Sequence, residues 1–297
     1  MAQLFRRTWA ISIGGVDVSD LSCSFHVKKT LKPEPNTCEL VVFNLSPVTR
    51  QKLTTPQRIG VRIEAGYGGQ NSQIYLGEVR SLAAGFVEGP DIRTELTSGD
   101  TEKAMQTARL SVPIGAGASQ LSVLQALVGA LGVGPGNIAD AASKLAKAGK
   151  LIFARDTVIV GNVARIITDI CRSGNLEWSI QDGTIQLLDI GASLTAKPYS
   201  LSASTGLVGS PKLDKDGKVT ASVLMLPDLR PGLPVVFDSK FVKGTFRVIE
   251  CTYAGDTWGE GDDAWGIEIT CDRPGAQDHR RRQKQHIFEI NGPLLPL

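Results

Sequence analysis

Apolar and polar residues alternate along most of the first hundred positions. Thr8 to Ile13 is one alternating run, and Gly14-Gly15 turns it back into Val16-Asp17-Val18, which predicts a short hairpin. Leu21 to Lys29 sets Leu21, Cys23, Phe25 and Val27 on one face of a strand, and Thr37 to Phe43 is the next. Asn44-Leu45-Ser46-Pro47 then opens a single short helix to about Leu53, with Ser46 as its cap and Pro47 at its first position. Ile59 to Ala65, Gln73 to Leu82 and Asp91 to Ser98 complete an antiparallel set with glycine-bearing turns, the pattern of a barrel or sandwich.

The period changes in the middle. Leu121, Leu124, Leu127, Val128 and Leu131 recur at helical spacing from Gln120 to Leu131, and Val133-Gly134-Pro135-Gly136 stops them. Asn137 to Lys147 is an alanine-rich helix, Lys150 to Ala154 a short strand. Asn162 opens a helix to about Ser173, with Val163, Ile166, Ile167 and Ile170 as its stripe and Gly174 as its C-cap residue. Leu176 to Gln181 and Thr184 to Asp189 flank Asp182-Gly183, a two-residue turn that accepts positive φ at both positions. From Ala203 the strand pattern returns. A hairpin around Asp216-Gly217 spans Leu213 to Met225, followed by strands at Leu233–Asp238, Gly244–Ala254 and Trp265–Asp272.

These shifts predict a mainly β chain with a smaller α+β part. Residues 1–105 form a first β module, 106–200 a helix-containing insert, 201–277 a second β module, and 278–297 a C-terminal arm without core periodicity. The two β modules look like repeats of each other. Val61–Ala65, Ile74–Val79 and Arg93–Thr97 in the first match Leu233–Phe237, Phe246–Cys251 and Gly266–Thr270 in the second, with Tyr75 and Phe246 as the aromatic near the start of each middle strand.

Composition narrows the function. With 42% apolar and 21% charged residues, the 297-residue chain can bury real cores, and a net charge of +2 gives no global pull toward nucleic acid or anionic membrane. No stretch approaches the roughly 18–20 apolar residues of a spanning helix, and the N-terminus lacks the apolar core of a signal peptide. The expectation is therefore assembly in the cytoplasm of the producing cell. Cys23, Cys38, Cys171, Cys251 and Cys271 are expected as reduced, buried thiols, the strands of Cys251 and Cys271 being potential neighbours.

No catalytic, cofactor-binding or metal-ligating residue is assigned. His26 is the only histidine inside the folded region and, on a strand with Phe25 and Val27 on its other face, reads as an exposed or satisfied strand histidine rather than a catalytic base; the chain lacks GxSxG. Gly115-Ala116-Gly117-Ala118 is not followed by GK[ST], so it reads as a linker. Asp214, Asp216 and Gly217 fit a hairpin turn better than a calcium loop, whose twelfth position would be Met225. The loop from Gly255 to Asp263 is acidic and glycine-rich and reads as solvated. Trp178, Trp258 and Trp265 are the candidate sugar platforms of a carbohydrate-binding protein or cell-wall hydrolase, the alternative reading. Arg280-Arg281-Arg282 with Lys284 reads as a docking tail rather than a nucleic-acid site.

The β elements resemble the baseplate hub proteins of contractile-tailed phages, the family of late control protein D and the hub portion of type VI secretion spikes. The resemblance is carried by Phe43-Asn44-Leu45-Ser46 before a helix with Arg50 and Leu53, by Val61 to Tyr67 and Ile74 to Val79, and by Leu96-Thr97-Ser98-Gly99-Asp100. In the second module Gly206 to Pro211, Leu229-Arg230-Pro231-Gly232, Phe246-Arg247-Val248 and Gly255-Asp256-Thr257-Trp258 carry it. It implies two tail-tube-like antiparallel β-barrel domains around the insert, without enzymatic activity. It also implies a homotrimer joining the hexameric tail tube, or a tube-initiator protein, to a trimeric spike among other baseplate proteins of the virion. The chain lacks a needle-like repeat after Asp272 and a lysozyme-like segment, so the spike is expected as a separate polypeptide.

Overall fold

The strands on either side of the insert meet in one sheet. The computed structural model describes residues 5–54, 59–147, 149, 152–259 and 265–275. Chain order runs β1 (Arg7–Ile13), β2 (Val16–Asp17), β3 (Cys23–Thr30), β4 (Thr37–Phe43), α1 (Pro47–Thr54), β5 (Gly60–Tyr67), β6 (Gln70–Glu88) and β7 (Asp91–Gly99). The insert follows as α2 (Glu102–Thr107), β8 (Arg109–Ile114), α3 (Gln120–Leu131), α4 (Ile138–Lys147), β9 (Thr157–Asn162), α5 (Val163–Ser173), β10 (Leu176–Gln181) and β11 (Thr184–Asp189). β12 (Tyr199–Leu201), β13 (Leu207–Leu213), β14 (Val219–Leu224), β15 (Pro234–Asp238), β16 (Lys243–Asp256) and β17 (Trp265–Asp272) return to the sheet.

The sheet order is β13-β14-β17-β16-β3-β4-β7-β6-β5-β1-β2, with β15 on β16 and β12 on β15. Except for the parallel β12–β15 pair, its neighbours are antiparallel. The chain is thus mainly antiparallel β. Among the described residues these pairings form an open series rather than a closed barrel.

Within the series one order occurs twice. β5-β6-β7-β4-β3 and β15-β16-β17-β14-β13 have the same sequence order, the same neighbours and the same antiparallel sense. The same irregularity also recurs, one extra residue on the middle strand between Val79 and Ser81 and between Val248 and Glu250. A bulge re-aims every residue beyond it, so its recurrence fixes the equivalence of the two ladders. Inward positions agree: Cys38, Leu40 and Val42 on β4 match Val219, Ala221 and Val223 on β14, all buried. The connection after each of these strands puts apolar side chains into the core, Leu45, Leu53 and Ile59 in the first, Met225 and Leu229 in the second. Tyr75 and Phe246 are not equivalent, because counting back along each strand from the shared bulge sets Tyr75 against Gly244. The repeat departs at its start, where β1 joins β5 antiparallel but β12 joins β15 parallel.

Local chemistry explains the turns and caps. Gly14 and Gly15 have φ of 57° and 77° between β1 and β2, and Asp182-Gly183 has 52° and 74° between β10 and β11, the positive values such turns require. Ser46 Oγ accepts from Thr49 N at 3.1 Å, and Asn162 Oδ1 from Arg165 N at 3.0 Å, so α1 and α5 are capped by side chains. Gly174 is the C-cap of α5 with φ −90°, and the left-handed residue is the following Asn175.

The insert has its own apolar core. Leu124, Leu127, Val128 and Leu131 of α3 meet Val163, Ile167 and Ile170 of α5 and Trp178, Ile180, Ile185 and Leu187 of β10 and β11. Leu121 and Ile166, expected on the two stripes, pack only at its margin. Of the strand expected at Lys150 to Ala154, residues 150 and 151 lie outside the described residues and Ile152 makes one isolated bridge to Ser119, while a regular strand outside the expected span, Thr157–Asn162, pairs with β8. The arm at 278–297, with its arginine run, lies outside the described residues. Among those described, no helix is long and apolar enough to cross a membrane.

Candidate assembly surface

Charged and polar side chains cluster where the insert meets the sheet. Lys29 continues the inward face of Cys23, Phe25 and Val27 on β3, so the strand's own alternation buries it. Its ammonium lies 2.5 Å from Asp182 Oδ1 in the β10–β11 turn and 5.7 Å from the centre of the Tyr253 ring. Asn36, in the turn before β4, donates three hydrogen bonds to two partners. Its backbone N and Nδ2 donate to Asp100 at 2.7 and 2.8 Å, and Nδ2 also donates to the Ile180 carbonyl at 2.7 Å. Gln181 Nε2 completes this side by donating to the Thr30 carbonyl at 2.7 Å.

A second cluster surrounds Arg247 on β16. Its guanidinium donates to both carboxylate oxygens of Asp272, at 3.0 and 2.8 Å, to Glu177 on β10, and to the Ala192 carbonyl. Burial disfavours its charge, yet the hydrogen bonds and fields of Asp272 and Glu177 outweigh burial and hold Arg247 protonated more firmly than usual. Burial pushes the Asp100 carboxyl up to about 7, against the Asn36 hydrogen bonds and the field of Lys29, which favour its charged form. Buried ion pairs of this kind add little net stability but penalise any misplacement, which suits them to fixing the insert on the sheet.

The positions considered as sites are dispersed. His26 is exposed on β3, opposite Glu39 in the strand register, and lines an open surface cleft with Ser24, Glu39 and Asp256. Asp214 Oδ1 accepts from Asp216 N and Lys218 N, closing the β13–β14 turn. Ala116 N donates to Asp156 Oδ1 beside the glycine-rich linker. Trp178 and Trp265 are buried, Trp178 donating to Thr168 Oγ1 and Trp265 packing on Trp9 and Phe25, whereas Trp258 is 77% exposed. The three tryptophans therefore make no common platform. The acidic loop is described only to Gly259, where Asp256 Oδ1 accepts from Trp258 N and Gly259 N. All five cysteines are free and buried. Among the described residues no three His, Cys, Asp or Glu side chains are grouped to hold a metal ion.

What remains exposed is sheet edge and apolar surface. Between Val79 and Glu88 β6 pairs with β7 along one edge, and among the described residues no strand pairs with the other. β13 is likewise paired only with β14. Leu213 at the end of β13 is 56% exposed, and Val158 and Val160 protrude from the β8–β9 ribbon. Open edges and apolar surface of this kind are features of proteins that assemble. Sequence periodicity could flag Lys29 as an inward charge, but it gives no sign of which edges stay open.

No protein-family profile and no curated protein matches the sequence. The fold is similar to that of solved structures. The 43-kDa tail protein of prophage MuSo2 from Shewanella oneidensis aligns with 90% of this chain and 96% of its own, at TM-score 0.62 and 8% identity. A tail protein from Neisseria meningitidis aligns with 91% of this chain and 98% of its own, at TM-score 0.62 and 13% identity. An E. coli component of the type VI secretion system, described as structurally similar to the T4 phage tail proteins gp27 and gp5, aligns with 91% of this chain and 77% of its own, at TM-score 0.51 and 8% identity. At these identities the likeness is one of fold: the chain has the fold of phage tail proteins and of a type VI secretion component.

Proposed function

We propose that this chain is the structural baseplate hub of a contractile phage tail, a homotrimer that joins the sixfold tail tube to a threefold spike. The doubled strand order carries the reading. A subunit with two similar modules, residues 1–105 and 201–277, lets three chains present six similar surfaces to a tube while keeping threefold symmetry for a spike. The fold likeness to tail proteins and a type VI component supports it. In this reading the modules are tail-tube-like, the partners are a tube or tube-initiator protein, a spike and other baseplate proteins, and the site of action is the virion tail.

The role is mechanical rather than enzymatic. The polar clusters around Lys29 and Arg247 hold the insert at a set position on the sheet, as a joint that transmits force between two rings would need. The carbohydrate reading is weaker, since Trp178 and Trp265 are committed to cores. Light scattering of the purified chain tests the proposal: a mass of three subunits is expected, and a monomer at high concentration overturns it. Clearing of cell wall on a zymogram would overturn the non-enzymatic part.

A further inference from the structure

The chain contains one copy of a junction whose second copy is left open. Within the subunit, β3 of the first module adds antiparallel to β16 of the second, pairing Cys251 with Lys29, Tyr253 with Val27 and Gly255 with Phe25. It occupies the edge of β16 that β15 leaves after Arg247. By the repeat, β6 is the counterpart of β16 and β13 the counterpart of β3. β5 likewise leaves β6 at Glu78, Val79 N donates to the Ile59 carbonyl, and beyond it no strand among the described residues pairs with this edge. Among the described residues the outer edge of β13 is unpaired too. One junction is filled within the chain, and among the described residues both halves of its counterpart are unpaired.

The geometry points to β13 of one subunit adding antiparallel to the open edge of β6 in the next copy of this chain, with Leu213 opposite Ala84. The register follows rung by rung. Val27 pairs with Cys38, Cys38 with Ser98, and Ser98 with Val79 just before the bulge. Leu213 pairs with Val219, Val219 with Cys271, and Cys271 with Val248 just before its bulge. Beyond the bulges Leu82 and Ala84 stand where Cys251 and Tyr253 stand. Since Tyr253 meets Val27 in the filled junction, Ala84 meets Leu213 in the open one.

Burial singles out the same residues. Val27, Cys251 and Tyr253 are completely buried, whereas Leu213 and Ala84 are exposed and Leu82 is half-buried. Ser81 to Gly85 carries no charge and no proline, and the bulges between Ala84 and Phe86 on β6 and between Val208 and Lys212 on β13 confine regular pairing to the rungs around Ala84 and Leu213. Pro211 removes one donor from β13, so the ladder should be shorter than the one from Ser24 to Thr30 on β16. The contact is head-to-tail, the kind that closes into rings.

The inference rests on the hub reading for the number of subunits, and one experiment separates the two. In the full chain, the double variant Ala84→Cys with Leu213→Cys is oxidised mildly and run without reductant, beside each single variant. Directly opposed Cα atoms on antiparallel strands lie about 4.5–5.5 Å apart, inside the roughly 4.4–6.8 Å that a disulfide spans. Linked dimers and trimers from the double variant alone are expected. Leu213→Asp, at a position exposed within the subunit, should shift the light-scattering mass from trimer to monomer with unchanged circular dichroism. A trimer that neither crosslinks nor dissociates overturns this junction and leaves the hub reading standing. A wild-type monomer overturns both.

Discussion

Val79 on β6 and Val248 on β16 occupy the same rung of two separate ladders, each facing a buried residue, Ser98 or Cys271, and each followed by one extra residue. The equivalence extends outward to Val27 and Leu213, and there the two copies differ in environment, since Val27 is fully buried and Leu213 is 56% exposed.

That difference predicts unequal costs for equivalent substitutions. Val27→Ala should lower the stability of the dissociated chain by roughly 1–3 kcal/mol, because it opens a cavity in a closed junction. Leu213→Ala should stay within about 0.5 kcal/mol under the same conditions. Denaturant unfolding at concentrations below assembly measures both. Equal costs would show that the edge at Leu213 is already covered within the subunit.

The Arg247 cluster predicts a larger effect. Arg247→Ala leaves Glu177 and Asp272 as part-buried carboxylates without their cation, a loss bounded above by the roughly 3–5 kcal/mol of breaking a fully buried pair. The loss should be regional as well as global. Amide exchange should accelerate across β10 and β11, because Glu177 and the Ala192 carbonyl fasten that end of the insert to β16. Unchanged exchange there would mean that the insert is held by its other contacts.

How much of this was legible in the sequence depends on whether the signal was local. The Asp182-Gly183 and Gly14-Gly15 turns, the caps of α1 and α5, and the stripes of α3 and α5 follow from residues within a few positions of one another. β8 and β9 were missed for opposite reasons. Pro113 makes Arg109–Ile114 a poor strand candidate, and on Thr157–Asn162 the exposed Val158 and Val160 blur the inward position of Ile159. The repeat was visible as similar strand runs, but Tyr75 and Phe246 suggested the wrong rungs. Neither the β3–β16 pairing nor the contacts of Asn36 with Asp100 and Ile180 could be read from pattern, since pairing depends on which distant edges meet.

The cysteines make a direct chemical prediction. Burial pushes the thiols of Cys23, Cys171 and Cys251 up to about 12, and those of Cys38 and Cys271 upward as well, so little thiolate exists at neutral pH. Although Cys251 and Cys271 are on adjacent strands, Cys251 faces Ile269 and Cys271 faces Val248, so they are not cross-strand partners. In a thiol-reagent assay five groups should react in denaturant, and essentially none should react within minutes in the native chain. Fast native reaction would show that the sheet opens locally.

Asp100 sets the pH dependence of the joint. Its carboxyl rises from an ordinary 3.8 to about 7 in the folded chain, first because it is buried. The folded state therefore binds more protons than the unfolded state between those values, and stability falls as pH rises through that window. The slope is roughly 1.4 kcal/mol per pH unit where the folded carboxyl is protonated and the unfolded one is not. Below the unfolded value both states are protonated, and above about 7 both are charged, so the contribution levels off at each end. The wild-type chain should accordingly melt at a higher temperature at pH 5 than at pH 8 by more than Asp100→Asn does. The substitution has its own constant cost, because an amide can accept from the Asn36 backbone N but presents a donor to Asn36 Nδ2. The diagnostic quantity is thus the change between pH 5 and pH 8, measured for each chain by thermal melting. Parallel profiles for the two chains would mean that Asp100 is already ionised throughout the window, its charge held by Asn36 and Lys29.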